Sequence, residues 1–214
     1  MIITHQTNEK CIAVREEFVH DAGRTIEASI AAHQRLLGSE TTMRLIAAVS
    51  DALVNAIRQG NKLLLFGNGG SAADAQHIAA EFVGRFAIER AAMPAAALSA
   101  NTSCVTAIGN DYGFDRVFAR QIEAFGKPGD VAIGISTSGN SSNVLQGLAQ
   151  ARELGMTTVA LAGASGGKMK DGADYCICAP SDETPRIQEC HILIGHVIAE
   201  LVERAVFYDS SRIS

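Results

Sequence analysis

Lys62-Leu-Leu-Leu-Phe-Gly-Asn-Gly-Gly-Ser-Ala-Ala-Asp74 is the stretch that decides the fold. An apolar run of strand length gives way to small hydrogen-bonding residues, and these give way to a helical stretch. The same design returns in Val131-Ala-Ile-Gly-Ile-Ser-Thr-Ser-Gly-Asn-Ser-Ser-Asn143. Glycine lets a backbone turn tightly and approach a ligand closely. A helix start turns free N–H groups and a partial positive charge toward an anion. Serine and threonine hydroxyls add donors without bulk. Two such loops in one sheet read as a single site for a phosphorylated small molecule.

Nucleotide motifs fit less well. The first loop lacks the Gly-Lys-Ser/Thr ending of a P-loop. The dinucleotide fingerprint is incomplete, because Gly67 and Gly69 are followed by Ala72 where a third glycine is usual. No acidic residue closes a strand about 20 residues on, where a ribose partner belongs. No nucleotide cofactor is therefore expected.

Working outward, helical spacing of Ile12, Val14, Phe18, Ile26, Ile30 and Leu36 predicts a helix over 8–36. Ser39 starts a second helix and Gly60 ends it. Alternation then sets in. Strands are expected at 62–66, 95–98, 130–135, 157–162 and 174–178. Helices are expected at 71–85, around 102–109, and at 114–125, 141–154, 166–171 and 184–206, with a turn at Gly109-Asn-Asp-Tyr-Gly113. Short strands alternating with helices indicate an α/β fold, with a parallel sheet between two helical layers. The chain divides into an N-terminal helical extension (1–39), an α/β domain (40–207) and a polar tail (208–214). In such sheets ligands bind beyond the carboxyl ends of the strands. Both serine-glycine loops lie there, as does Ser99-Ala-Asn-Thr-Ser103.

Composition sets further bounds. The chain has 214 residues, 47% of them hydrophobic, and a net charge of −5, enough for a sizeable core and without the basic footprint of a nucleic-acid binder. No apolar run is long enough to span a bilayer. The N-terminus lacks the basic and apolar regions of a signal peptide, so a cytoplasmic location is expected. The five cysteines form no regular framework, which fits reduced thiols. Cys176 and Cys178 share one face of an expected strand and read as core packing.

The helix after the first loop carries His77 and Glu81 on one face, and Arg85 continues it. On the last helix Gln188 and His196 fall about 80° apart, whereas His191 is rotated about 140° from His196. A carboxylate and a histidine beside a bound sugar phosphate suit proton transfer at a carbon next to a carbonyl. The same groups offer nitrogen and oxygen ligands to zinc, although glutamine is an unusual one. The pattern alone equally allows a surface His/Glu pair, a core histidine at 196, an Arg85 paired with Glu81 or Glu89, and an Asp111 that closes a turn.

Six motifs in order carry a resemblance: Gly67-Asn-Gly-Gly-Ser71, Asp74-Ala-Gln-His77, Glu81-Phe-Val-Gly-Arg85, Gly109-Asn-Asp-Tyr-Gly113, Ser136-Thr-Ser-Gly-Asn-Ser141, and Arg186-Ile-Gln-Glu-Cys-His-Ile-Leu-Ile-Gly-His196. Over residues 40–207 the chain resembles the sugar isomerase (SIS) domain family, and within it the bacterial phosphoheptose isomerases. The resemblance implies a three-layer αβα sandwich with a five-stranded parallel sheet, and homotetramers with active sites between subunits. It implies conversion of sedoheptulose 7-phosphate to D-glycero-D-manno-heptose 7-phosphate, for lipopolysaccharide or other surface polysaccharides. By that likeness Glu81 and His196 form the acid/base pair. Ser71, Ser136, Thr137, Ser138 and Ser141 bind phosphate. Asn68, Gly69, Gly70, Arg85, Asn110, Asp111 and Gln188 complete the substrate site. His77, Glu81, Gln188 and His196 fall on the zinc ligands of some members. Pro185 stands where some members carry an aspartate. A non-catalytic branch that binds the bacterial replication initiator is the alternative. That branch lacks the glutamate and second histidine found here at 81 and 196.

Overall fold

The computed structural model describes residues 2–7 and 10–208, with side chains from Val14 onward. β1 (Ile2–Thr7) and β2 (Lys10–Arg15) pair antiparallel, with Ile3 opposite Val14 and Thr7 opposite Lys10. The helix expected over 8–36 therefore begins later: α1 spans Glu16–Leu37. Ile12 and Val14 are two apart, which is the strand period, and β-branched residues favour that state. Glu16 and Glu17 in the first turn of α1 complement its dipole. The part of the expectation that falls on Asn8 and Glu9 lies outside the described residues, as do the tail from 209 and the Cys11 side chain.

α2 (Glu40–Arg58) starts where expected. The Ser39 hydroxyl accepts from the Thr42 amide at 3.2 Å, and Gly60 follows the helix at φ 75°. The alternating unit follows: β3 (Leu63–Gly67), α3 (Gly70–Val83), β4 (Ala95–Ala97), α4 (Thr102–Tyr112), a 3-10 turn (Phe114–Arg116), α5 (Ala119–Phe125), β5 (Val131–Ser136), α6 (Ser142–Glu153), β6 (Thr157–Ala162), α7 (Met169–Gly172), β7 (Tyr175–Cys178) and α8 (Thr184–Phe207).

Two expectations change here. Residues 109–112 are the last turn of α4 rather than a loop. Asn101 caps that helix through the Cys104 amide, and Gly113, at φ 86°, ends it. The helix expected over 114–125 divides into the 3-10 turn and α5. α7 starts at Met169, because Gly166 and Gly167 before it take φ of 74° and 52°.

The five strands pair in parallel in the order β4-β3-β5-β6-β7. Side chains alternate across the sheet. Leu63, Leu65, Val131, Ile133, Val159 and Leu161 pack beneath α1, α2, α3 and α8. Leu64, Phe66, Ala132 and Ala160 pack against α5, α6 and α7. The result is the expected three-layer α/β sandwich. β3 lies between β4 and β5, so successive strands are added first on one side of it and then on the other, which leaves the loops after β3 and β5 side by side.

Cys176 and Cys178 lie on one face of β7 as free, partly buried thiols with sulfurs 3.8 Å apart. Cys176 packs against the core on the α6 side of the sheet. Among the described residues, no helix is long and apolar enough to cross a membrane.

Candidate active site

The register of β3 with β5 pairs Gly67 with Ile135, so the two serine-glycine loops leave the sheet together. A reciprocal amide pair joins them. Asn68 Nδ2 donates to Asn143 Oδ1 at 2.8 Å, and Asn143 Nδ2 donates to Asn68 Oδ1 at 2.9 Å. Asn143 is buried. Sequence reasoning missed it. The available signal was a carboxamide in the first turn of the helix that follows the second loop.

The hydroxyls of the second loop cluster. Ser136 Oγ lies 2.9 Å from Ser141 Oγ and 3.4 Å from Ser138 Oγ. The Ser138 hydroxyl also accepts from the Asn140 amide at 3.2 Å. Ser141 stands at the N-cap of α6 but makes no capping bond, and Gly69 at the head of α3 has no side chain to cap with. Both helix starts thus keep amides available to an anion. Gly139, at φ 65°, is required for a second reason: a Cβ there would collide with the Gly166 carbonyl of the neighbouring turn. Ser71 is buried in the first turn of α3, and Thr137 is half-buried and accepts from the Gly163 amide through its carbonyl.

α3 and α8 cross beside these loops. Three close approaches set their packing. A Cβ on Gly70 would overlap the Gln188 carboxamide, and one on Gly195 would overlap Ile78. At the far end Glu203 of α8 bonds the segment after α3. Between these levels His77, Glu81 and His196 meet. His77 Nε2 lies 2.9 Å from His196 Nε2 and 3.2 Å from Glu81 Oε1. One ligand atom from each of the three falls within 4.8 Å of the others. The set of two imidazole nitrogens and one carboxylate oxygen suits zinc. An edge of a tetrahedral zinc site built from bonds of about 2.0–2.1 Å is roughly 3.3 Å long. The His77–Glu81 separation matches it, and the two imidazoles stand a few tenths of an ångström closer. The Phe86 ring packs on His196 at 5.8 Å between centroids.

Asp74 precedes His77 by just under one helical turn. Its Oδ2 is buried and has no hydrogen-bond partner among the described residues. Burial raises the pKa of this carboxyl, while the nearby His77 acts in the opposite direction. The motif reading contained Asp74 but gave it no role.

His191 goes elsewhere. It is fully buried, with Nε2 3.0 Å from the Ala162 carbonyl of β6. Burial drives its pKa down to about 4, against the smaller opposing effect of that carbonyl bond. The remaining candidates lie at the surface. Arg85 is exposed at 4.0 Å from Glu89, and Asn110 donates to Asp111 at 2.8 Å on the exposed end of α4. Pro185 sits at the start of α8, where its missing N–H costs no helix bond. Behind it, Arg186 forks onto Glu189 and donates to the Thr25 carbonyl at 2.9 Å, which ties α8 to α1.

A parallel sheet thus carries paired serine loops at its carboxyl edge and a His-Glu-His cluster beside them. The model of the SIS domain family matches residues 17–163. The chain belongs to that family. It is 57% identical over 182 residues to the phosphoheptose isomerase of Roseiflexus sp. (strain RS-1), covering 85% of this chain and 91% of the relative. With the phosphoheptose isomerase of Aquifex aeolicus (strain VF5) it shares 57% over 175 residues, 82% of this chain and 92% of that one. Among solved structures it resembles phosphoheptose isomerase GmhA from Neisseria gonorrhoeae, with a TM-score of 0.80 and 39% identity. It also resembles a phosphoheptose isomerase from Francisella tularensis, with a TM-score of 0.83 and 34% identity. Each of these matches covers 87% of this chain and 98% of the solved one.

Proposed function

We propose that this chain is an aldose-ketose isomerase that converts sedoheptulose 7-phosphate to D-glycero-D-manno-heptose 7-phosphate. The observation that carries the reading is the meeting of Glu81 and His196 at His77, beside two loops built for an anion. The phosphate is held by the hydroxyls of Ser71, Ser136, Ser138 and Ser141, the Thr137 segment and the amides that open α3 and α6. This anchors the far end of the sugar and directs its carbonyl end toward α3 and α8. Glu81 and His196 then act as the acid/base pair. One takes a proton from C1 of the ketose as an enediolate forms. Transfer of the O1 proton to O2 and delivery of a proton to C2 complete the aldose, with no net change in composition. Positioned proton transfer of this kind contributes about 10²–10⁴-fold to rate.

His77, Glu81 and His196 would hold zinc, with Gln188 as a fourth group from the same helix as His196. Bound there, the metal would supply Lewis acidity at a substrate oxygen. Asn68, Gly69, Gly70, Arg85, Asn110 and Asp111 complete the substrate site in this reading.

A homotetramer with sites between subunits belongs to the same proposal. Arg85, Asn110 and Asp111 are exposed on the single chain. α1 presents Phe18, Ile26, Ile30 and Leu37 to solvent, with Leu37 75% exposed. A face of that kind suits burial against another copy. The non-catalytic alternative is disfavoured by the presence of both Glu81 and His196 in contact distance of His77.

The test is direct. Purified protein, supplied with zinc, is incubated with sedoheptulose 7-phosphate and the sugars are followed by NMR. Appearance of the heptose aldose at the expense of the ketose supports the reading. Absence of conversion overturns it, and light scattering during size exclusion tests the tetramer.

A further inference from the structure

We propose that the buried pair Arg90–Glu203 is a positioning device that fixes the end of the helix bearing His77 and Glu81 against the helix bearing His196. The inference rests on the acid/base reading of Glu81 and His196 and concerns a pair that reaches the cluster through the backbone of Glu81 and the Phe86 segment.

Glu203 lies two turns beyond His196 on α8, and seven steps of about 100° return it to the same face. The side chains of Arg90 and Glu203 are 1% and 2% exposed. Arg90 Nε donates to Glu203 Oε1 at 2.8 Å. The other guanidinium nitrogens turn to the end of α3. Nη2 donates to the backbone carbonyl of Glu81 at 2.8 Å, and Nη1 to those of Phe82 at 2.8 Å, Gly84 at 3.2 Å and Ala91 at 3.0 Å. The carbonyls left open at a helix end are thereby satisfied by one planar fork.

Glu203 closes the connection from the other side. It accepts from the amides of Phe86, Ala87 and Ile88 at 2.9, 2.8 and 3.2 Å. Phe86 is the residue whose ring packs on His196. One ion pair thus holds the backbone of Glu81, the ring that backs His196 and the helix that carries His196.

Net stability is a weak explanation for such a pair. Taking two charges out of water is expensive, and packed apolar residues often serve a core as well or better. Directionality is what apolar packing does not supply. Eight bonds of defined geometry at the end of two crossing helices set their lateral spacing. A shift of about 1 Å between catalytic groups is enough to cost about a hundredfold in rate.

The test uses Arg90→Lys, which keeps the charge but loses the fork, and Glu203→Gln, which keeps the shape. Leu148→Ala, on the opposite face of the sheet, serves as a control for lost stability alone. Turnover, KM, melting temperature and zinc affinity by chelator competition are measured for each, well below every melting point. The positioning role expects kcat to fall at least tenfold in both clamp variants, with KM within about twofold and zinc affinity weakened about tenfold. Leu148→Ala should melt lower yet keep wild-type kcat and zinc affinity. Clamp variants that melt lower but turn over and bind zinc like wild type overturn the proposal. So does failure of both to accumulate as folded protein, which would make the pair a folding requirement only. If wild-type protein does not isomerise the heptose, the functional reading fails, and zinc affinity still reads the spacing of the two helices.

Discussion

His191 and His196 lie on the same helix, and the surroundings of each decide what it can do. His191 faces the sheet, is 0% exposed and lies against the Ala162 carbonyl. Its pKa is pushed to about 4, so near neutral pH it carries no charge. His196 turns toward α3 and lies beside His77 and the Phe86 ring. Two identical side chains thus become a packing element and a chemical group through a rotation of about 140° about one helix axis. The difference teaches that a histidine in an apolar stretch of sequence carries no role until the helix face is known.

The largest effects should fall on the cluster face. Glu81→Gln and His196→Ala should each lower kcat about 10²–10⁴-fold while leaving the fold intact. His191→Gln retains an amide donor for Ala162 and should keep most activity. Initial rates and circular dichroism of the three variants break the comparison if His191→Gln is dead and His196→Ala is active.

Next in size is the phosphate end. Ser138→Ala combined with Ser141→Ala removes two hydroxyls from the Ser136 cluster. Hydrogen bonds to a charged group contribute roughly 1.5–3 kcal/mol each. KM should rise about ten- to hundredfold per hydroxyl, with a smaller change in kcat. An unchanged KM would remove the phosphate role from this loop and leave only the α3–α8 side of the site.

The smallest effect sharpens the contrast through stability rather than rate. The unfolded chain protonates His191 below about pH 6.5, whereas the folded protein resists until about pH 4. The unfolded state therefore holds more protons in that window, and stability falls as pH drops through it. The loss from this one group approaches roughly 3 kcal/mol at about pH 4. His191→Gln has no such group, so its urea midpoint should depend less on pH between 4 and 6.5. Parallel slopes for the two proteins would contradict the buried, neutral state of His191.

The alternation of short apolar strands with helices was readable because each carries its own period. Ser39 and Gly60 marked α2 because capping is local chemistry. The serine-glycine loops were equally legible, since Gly139 and Ser141 answer to the turn and helix start around them. Local signals also misled. Ile12 and Val14, at strand spacing, were absorbed into the longer helical pattern that follows them until β2 found β1 as its partner, and Gly109-Asn-Asp-Tyr-Gly113 looked like a turn until Asn101 capped a helix that ran through it.

What sequence by itself determined was the fold class and the family, because periodicity, turn chemistry and ordered motifs are written along the chain. Only the tertiary structure decided that His77, Glu81 and His196 meet, that His191 is core, and that Asn143, Arg90 and Glu203 stitch loops and helices together. Those contacts join residues more than a hundred positions apart in some cases, such as Arg90 with Glu203 at 113. No local period encodes them. They arise from the sheet register and the crossing of α3 over α8, where Gly70 and Gly195 let the helices approach.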